Sequence, residues 1–310
     1  GTIELDGKEY KMLDSNFPTI DPKKPYALTK EEEDIMERLE RAFENCEKLQ
    51  RHMHFLLNKG GLYKVYNGNL LYHGCVPLKE DGNLKSVRIF GRAYKGKGLY
   101  EVLESYVRKG FYAMDPKEKE RGKDIMWYIW LSENSPLFGK DKMATFERYF
   151  LAEKETHKEK KNPYYLLLED EKVVGKILKE FGLENEDAHI INGHVPVKCK
   201  DGENPVKCGG KVLVIDGGFS KAYQKETGIA GYTLIYNSYG LNLTAHEPFT
   251  SKADAVARET DIVSNRVAVS YMSRRQLVGD TDTGHALKER IQELIQLLDA
   301  YRTGIIKEKK

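Results

Sequence analysis

The chain has 310 residues, which is enough for one large domain or two domains of ordinary size. Its 50 basic residues nearly balance its 48 acidic residues, so net charge gives no reason to expect a nucleic-acid or membrane partner. Apolar runs are too short to span a bilayer, and the four scattered cysteines favour free thiols over a disulfide framework. We therefore expect a cytoplasmic protein.

The first 60 residues are predicted to form an irregular segment followed by a long amphipathic helix. Prolines interrupt residues 1–28, and Thr29 followed by three glutamates is typical of a helix N-cap. Apolar residues then recur at three- and four-residue steps from Ile35 to Leu57, and two glycines end the pattern. The chain also begins without methionine, so we expect its natural start to lie elsewhere.

Residues 61–250 are predicted to form the core. Two short apolar runs flank Asn67-Gly68-Asn69, and Asn-Gly is a strong hairpin signal because both residues accept positive φ. A helical, aromatic-rich insertion is expected at about 98–182, and residues 251–310 are expected to be a C-terminal helical segment. Alternating strands and helices indicate an α/β (α+β) fold.

Three predicted strands end in a polar side chain beside a glycine. His73 follows LLY, His194 follows IING, and Asp216 follows VLVI. Ligands at strand ends, with glycine where backbones approach closely, are typical of enzyme sites in α/β proteins. We interpret these three ends as one site, with two alternatives left open: each histidine could be a structural residue, and Asp216 could be a turn residue.

The strings YHGCVP and NGHVPVK resemble the histidine turns of calcineurin-like metallophosphoesterases. The run from Ile191 to Phe249 further resembles the class III fructose-1,6-bisphosphatases of Firmicutes. The resemblance implies half of a metallophosphoesterase β-sandwich flanked by helices. It also implies a dinuclear centre, most simply manganese, in which His73 and His194 bind the same ion. Two cations there would neutralise phosphoryl oxygens and activate water during hydrolysis of fructose 1,6-bisphosphate, a step of gluconeogenesis.

The metal motifs GDxxDRG and GNH[DE] of the superfamily are absent from this sequence. We therefore expect the chain to be the C-terminal portion of a longer enzyme whose N-terminal half is a partner in the site. Alone, it is predicted to hold no dinuclear centre and to be inactive, and no catalytic residue is assigned.

Phosphate binding requires cations and hydroxyls near the metals. Lys198 and Lys207 follow the histidine turn, Arg92 lies beside Phe90-Gly91, and Tyr223 follows the second glycine turn. These four are the candidate substrate-binding residues, with solvated surface charge as the alternative for each basic one. Asp216 is the candidate partner that orients a histidine ligand.

Two other functions stay open on the sequence. One keeps the metal chemistry and changes the substrate to a phosphoprotein or a nucleotide. The other is a non-catalytic interaction fragment or homo-oligomer, in which the amphipathic helices at 29–59 and 286–301 pack against another chain or the missing half.

Overall fold

A computed structural model describes residues 1–259, 264–272 and 274–307. The chain divides into two compact units, and each is described by itself. Unit 1 comprises Gly1–Leu62, Pro77–Glu80 and Leu84–Pro163, and unit 2 comprises Tyr63–Val76, Asp81–Asn83 and Tyr164–Lys310. These units cut across the three-part division expected from sequence, which stays a prediction.

The helices of unit 1 are α1 (Lys30–Glu44), α2 (Glu47–Lys59), α3 (Gly96–Tyr112), α4 (Pro116–Leu131) and α5 (Thr145–Phe150). Those of unit 2 are α6 (Glu171–Glu180), α7 (Lys221–Thr227), α8 (Lys252–Arg258) and α9 (Asp282–Arg302). The strands of unit 1 are β1 (Thr2–Leu5), β2 (Lys8–Lys11), β5 (Val87–Ile89) and β6 (Arg92–Tyr94). The strands of unit 2 are β3 (Tyr63–Tyr66), β4 (Asn69–Tyr72), β7 (His189–Asn192), β8 (Val206–Lys207), β9 (Val212–Val214), β10 (Tyr232–Asn237), β11 (Gly240–His246) and β12 (Ser264–Tyr271).

The N-terminal segment is not wholly irregular, contrary to the prediction. Strands β1 and β2 pair antiparallel across Asp6 and Gly7, whose φ angles are 52° and 77°. Two consecutive positive φ angles make the two-residue turn that matches the twist of a hairpin, and Asp-Gly favours it. The prolines that suggested irregular structure lie after this hairpin, at residues 18, 22 and 25.

The predicted long helix is two helices, so the prediction of one continuous element is wrong. Thr29 forms the expected capping box with Glu32 at the start of α1. The helix ends at Asn45, whose side-chain amide donates a hydrogen bond to the Arg41 carbonyl oxygen at 2.9 Å. Cys46 then has an extended backbone, and α2 starts at the next residue. The apolar periodicity crosses this break without revealing it.

Helices α3 and α4 pack against each other with glycine at the contact. A Cβ added to Gly122 would lie 2.1 Å from the backbone nitrogen of Gly110, so neither position has room for a side chain. Leu99, Leu103 and Ile125 form the buried core of this pair together with β5. The range expected to be helical therefore begins with two helices that pack closely through small residues, and its status as an insertion stays a prediction.

Unit 2 contains a five-stranded sheet in the order β3-β4-β7-β9-β8. The predicted hairpin joins β3 to β4, with φ of 48° at Asn67 and 74° at Gly68. Strands β4, β7 and β9 are parallel, with Leu71 opposite Ile191 and Ile191 opposite Leu213. Because parallel strands share a direction, their C-terminal ends meet at one edge of the sheet.

A three-stranded antiparallel sheet in the order β10-β11-β12 lies against one face of the first sheet. Buried Ile191 and Leu213 from the first sheet share one hydrophobic cluster with Leu241 from the second. Two sheets packed through one core, in a chain that also contains helices, confirm the mixed α+β class. The C-terminal segment was expected to be helical, but it also contains a strand. Strand β12 lies between α8 and α9 in the chain and pairs with β11.

Helix α6 ends at Glu180, and Gly182, two residues further on, has a φ of 82°. Within the part of the chain that the structure describes, no helix is long and apolar enough to cross a membrane. Parts of the predicted C-terminal segment, residues 260–263, 273 and 308–310, lie outside the described residues.

Candidate metal centre

The two candidate histidines follow the ends of neighbouring parallel strands. His73 comes directly after β4, and His194 comes two residues after the end of β7. Strand β9 lies on the other side of β7, and Asp216 comes two residues after its end. A Cβ added to Gly193 would lie 3.5 Å from the Cβ of Asp216 and 3.8 Å from the carbonyl oxygen of His73. The three strand ends therefore converge, as predicted from sequence.

The imidazole rings of His73 and His194 are in direct contact. The Nε2 atom of His73 lies 2.9 Å from the Nδ1 atom of His194, and the ring centroids are 4.8 Å apart. One nitrogen donates to the other, and the tautomers decide which. Residues 121 positions apart in sequence are thus brought to hydrogen-bonding distance.

Backbone hydrogen bonds hold the two histidine turns. The Gly193 N–H donates to the His73 carbonyl oxygen at 3.0 Å, and the Val197 N–H donates to the Asp216 carbonyl oxygen at 2.8 Å. His194 has a φ of 68°, a left-handed conformation that is uncommon outside glycine and that asparagine, aspartate and histidine adopt more often than other residues. Such backbone strain tends to occur at functional sites, where the surrounding structure imposes it.

Asp216 influences His73 electrostatically. One carboxylate oxygen, Oδ1, accepts a hydrogen bond from the Gly218 N–H at 3.0 Å, which orients the side chain. Partial loss of solvent lowers the pKa of His73 below its ordinary value, and the negative charge of Asp216 opposes that change. Because the net shift is downward, His73 is neutral at neutral pH and has a nitrogen lone pair available.

The histidine pair fits a divalent transition metal as two of its ligands. Two nitrogens about 2.1 Å from one ion and at a right angle to each other are about 3 Å apart. The 2.9 Å separation of the two ring nitrogens meets this requirement. Neutral imidazole is a good ligand for manganese, iron and zinc. Among the described residues, no group of three or more histidine, cysteine or acidic side chains is placed to hold a metal ion.

Lys198 and Lys207 differ in position. Lys198 follows the histidine turn and is exposed, and its N–H donates to Glu203 Oε2 at 3.1 Å. Lys207 pairs with Val212, the first residue of β9. It therefore lies beside the N-terminal end of β9, whereas Asp216 follows the C-terminal end. Its ammonium group forms an ion pair with Glu203 at 3.2 Å. Of these two candidates, only Lys198 lies near the histidine turns.

Tyr223 and Arg92 lie in different units. Tyr223 is in α7, just after the Gly217-Gly218 turn, and its side chain is exposed. A Cβ added to Gly218 would lie 2.7 Å from the Cβ of Tyr223, so α7 begins close to the end of β9. Arg92 starts β6 in unit 1, so unit 2 does not contain it. The substrate-binding roles of both residues stay predictions.

Asn192 is the residue near the histidines that sequence reasoning did not select. It is 2% exposed, and its side-chain Nδ2 donates to the carbonyl oxygen of Gly74 at 3.0 Å. The available signal was an amide residue directly after two isoleucines of a buried strand, where a buried polar group requires a reason.

Comparison with known proteins gives consistent matches. The family model described as Firmicute fructose-1,6-bisphosphatase matches residues 1–303. A class 3 fructose-1,6-bisphosphatase of Clostridium botulinum (strain Loch Maree / Type A3) is 55% identical over 309 residues, which are 99% of this chain and 46% of that protein. One of Clostridioides difficile (strain 630) is 56% identical over 309 residues, which are 99% of this chain and 47% of that protein. No solved structure matches.

The chain thus spans about half the length of the relatives it matches. This coverage does not support the more specific expectation that the chain is the C-terminal portion of the enzyme.

Proposed function

The chain belongs to the Firmicute fructose-1,6-bisphosphatase family, and from that premise we propose that it contributes to hydrolysis of fructose 1,6-bisphosphate to fructose 6-phosphate and phosphate. The observation that carries the proposal is the His73–His194 pair at the ends of parallel strands. The names of the two clostridial relatives support the substrate. The reaction is a step of gluconeogenesis.

His73 and His194 would together bind one ion of a dinuclear manganese centre. When bound, the metals would neutralise charge on the phosphoryl group and activate water. Among the described residues, no group of three or more histidine, cysteine or acidic side chains completes a metal site around this pair, and we propose that a longer protein supplies the further ligands. That agrees with a chain that covers 46% of a relative's length.

The chain's own groups would keep the pair ready to bind. A lowered pKa keeps His73 neutral, so a metal does not compete with a proton at neutral pH. The Gly193–His73 backbone hydrogen bond fixes the separation of the two turns. Asp216, held by the Gly218 N–H, would orient and polarise His73. Lys198, exposed just beyond the turn, would attract the substrate phosphate.

Metal titration of the 310-residue chain tests the histidine assignment. We expect binding of one Mn²⁺ or Co²⁺ ion per chain, weakened about tenfold or more by His73→Ala or by His194→Ala. His52→Ala removes an exposed histidine of α2 and serves as the matched control, with no change expected. Unchanged affinity in both site variants would refute the assignment. Two tightly bound ions in the chain alone would refute the need for outside ligands.

Phosphate release from fructose 1,6-bisphosphate in added manganese tests the activity. We expect none from the chain alone and turnover from a protein of the relatives' length, lost on His73→Ala. A phosphopeptide and a nucleotide are the comparison substrates. Faster hydrolysis of either one would favour the broader phosphatase function over the sugar bisphosphate.

Exposed apolar residues on α9 support a second candidate, self-association. Ile291, Leu294 and Leu298 recur along this helix and are 48% to 54% exposed. Exposed apolar surface of this kind is typical of protein interfaces. Light scattering on a sizing column tests it: a dimer that Leu294→Glu converts to a monomer is the expected result, and a wild-type monomer would exclude it.

A further inference from the structure

We infer that Asn192 is a positioning residue that holds the two histidine turns at the spacing a single ion requires. The inference rests on the proposed metal function of His73 and His194, and it assigns a role to a side chain whose hydrogen bond goes to the Gly74 backbone and not to either ring.

The geometry places Asn192 between the two turns. It ends β7, two residues before His194, and its Nδ2 donates to the carbonyl oxygen of Gly74 at 3.0 Å. Gly74 follows His73 directly. The Gly193 N–H meanwhile donates to the His73 carbonyl oxygen at 3.0 Å. Two hydrogen bonds, on consecutive residues of each turn, therefore join the end of β7 to the end of β4.

The third strand end is tied to the same residue. The backbone carbonyl of Asn192 accepts a hydrogen bond from the Ile215 N–H at 2.9 Å, one residue before Asp216. Asn192 therefore contacts the segments that carry all three candidate residues. A shift of the β7 end at Asn192 would change the His73–His194 separation and would also move Asp216 relative to the pair.

Stability alone does not account for an amide at this position. The Oδ1 atom of Asn192 is buried and meets no hydrogen-bond partner among the residues that the structure describes. An unsatisfied buried acceptor costs about 1–3 kcal/mol, so the gain from the Gly74 hydrogen bond is largely offset. A polar side chain that brings little net stability, yet joins two ligand turns, is what positioning of those ligands predicts.

Two readouts on the 310-residue chain test this role. Nitrogen-15 NMR of the histidine rings reports the His73–His194 hydrogen bond without any metal. Co²⁺ titration, followed by visible absorption, reports affinity and coordination. For Asn192→Ala we expect loss of the ring hydrogen-bond signature and Co²⁺ binding about 10-fold to 100-fold weaker.

Asn162→Ala is the matched control. Asn162 is also a buried amide that bonds backbone, since its Oδ1 accepts from the Leu78 N–H at 3.1 Å, but it belongs to unit 1. The Asn162→Ala substitution should lower thermal stability and leave the histidine ring signals and the Co²⁺ affinity unchanged. If Asn192→Ala fails to fold, Asn192→Asp replaces it. That variant keeps the shape and puts an acceptor opposite the Gly74 carbonyl, and the same two losses are expected.

The outcomes separate the two proposals. An Asn192 variant that loses stability but keeps wild-type ring signals and Co²⁺ affinity would overturn the positioning role. Absence of Co²⁺ binding in the wild-type chain would count against the metal function alone, because the ring signals still decide whether Asn192 sets the spacing.

Discussion

The α3–α4 pair of unit 1 and the parallel strands of unit 2 are built in opposite ways. Helices α3 and α4 are neighbours in sequence and meet through Gly110 and Gly122. Strands β4 and β7 are adjacent in space, although well over a hundred residues separate Leu71 from Ile191. The first arrangement needs only a short connection, whereas the second requires closing a long loop before any contact forms.

The difference also separates scaffold from site. The helix pair buries a core of Leu99, Leu103 and Ile125 and presents no cluster of candidate ligands among its described contacts. The parallel strands end together, so a polar residue after each strand necessarily lies near the others. Long-range strand pairing is therefore what assembles the candidate site, and variants can test each construction separately.

The largest expected effect is on the sheet. Leu213→Ala removes a fully buried side chain of β9, which should cost about 3–4 kcal/mol of the free energy of unfolding. Denaturant unfolding measures the loss, and hydrogen exchange of the peptides of β7 and β9 assigns it to unit 2. Leu166→Ala, the same substitution at a position 78% exposed in unit 2, is the control and should cost little. Equal losses would show that Leu213 is not part of a packed core.

The α3–α4 pair should lose stability when a side chain is added at the glycine contact. Gly122→Ala places a Cβ against the Gly110 backbone, and separating the helices should cost about 2–3 kcal/mol. The loss should appear as faster hydrogen exchange in α3 and α4. Gly98→Ala, in α3 with nothing within 4 Å of the new Cβ, should instead stabilise by about 0.5–1 kcal/mol. Tolerance of Gly122→Ala would contradict close helix packing.

A pH dependence of the melting temperature should arise in the five-stranded sheet of unit 2. His189 is buried at the start of β7, and burial, followed by the positive charge of Lys211, lowers its pKa from 6.5. The unfolded chain therefore binds this proton more readily, so the contribution is present above pH 6.5 and is lost as pH falls through the folded-state pKa. His189→Asn should flatten the decline in melting temperature between neutral pH and about pH 5.5. His52→Asn, at an exposed histidine, should leave the decline unchanged, and an unchanged slope for His189→Asn would reject the assignment.

The smallest expected effect on stability is at Gly175 of α6, which has free space around it, unlike Gly110 and Gly122 of unit 1. Gly175→Ala meets nothing within 4 Å and should raise stability by about 0.5–1 kcal/mol, because alanine has less freedom to lose on folding. Gly182→Ala, just beyond the helix at a φ of 82°, should lower stability by about 1 kcal/mol instead. A loss for Gly175→Ala would reveal packing at that face of α6 that the structure does not show.

Local signals in the sequence determined much of the structure. Asn67-Gly68 predicted the β3–β4 hairpin, and Thr29 predicted the start of α1, because turns and caps depend on residues only a few positions apart. The residues His73, His194 and Asp216 were predicted to converge because each follows a strand beside a glycine, and the strand ends do converge because β4, β7 and β9 are parallel. The Asp6-Gly7 hairpin carried an equally local signal that the neighbouring prolines obscured.

Only the tertiary structure decided the finer points. Helix α1 ends at Asn45, whose side chain donates a hydrogen bond to the Arg41 carbonyl oxygen, although the apolar pattern continues through α2. The pairing of β8 with β9 places Lys207 away from the histidine edge, although it is close to His194 in sequence. The 2.9 Å between the two imidazoles and the role of Asn192 follow from the register of β4 against β7. Register depends on contacts between distant segments, and no local pattern encodes it.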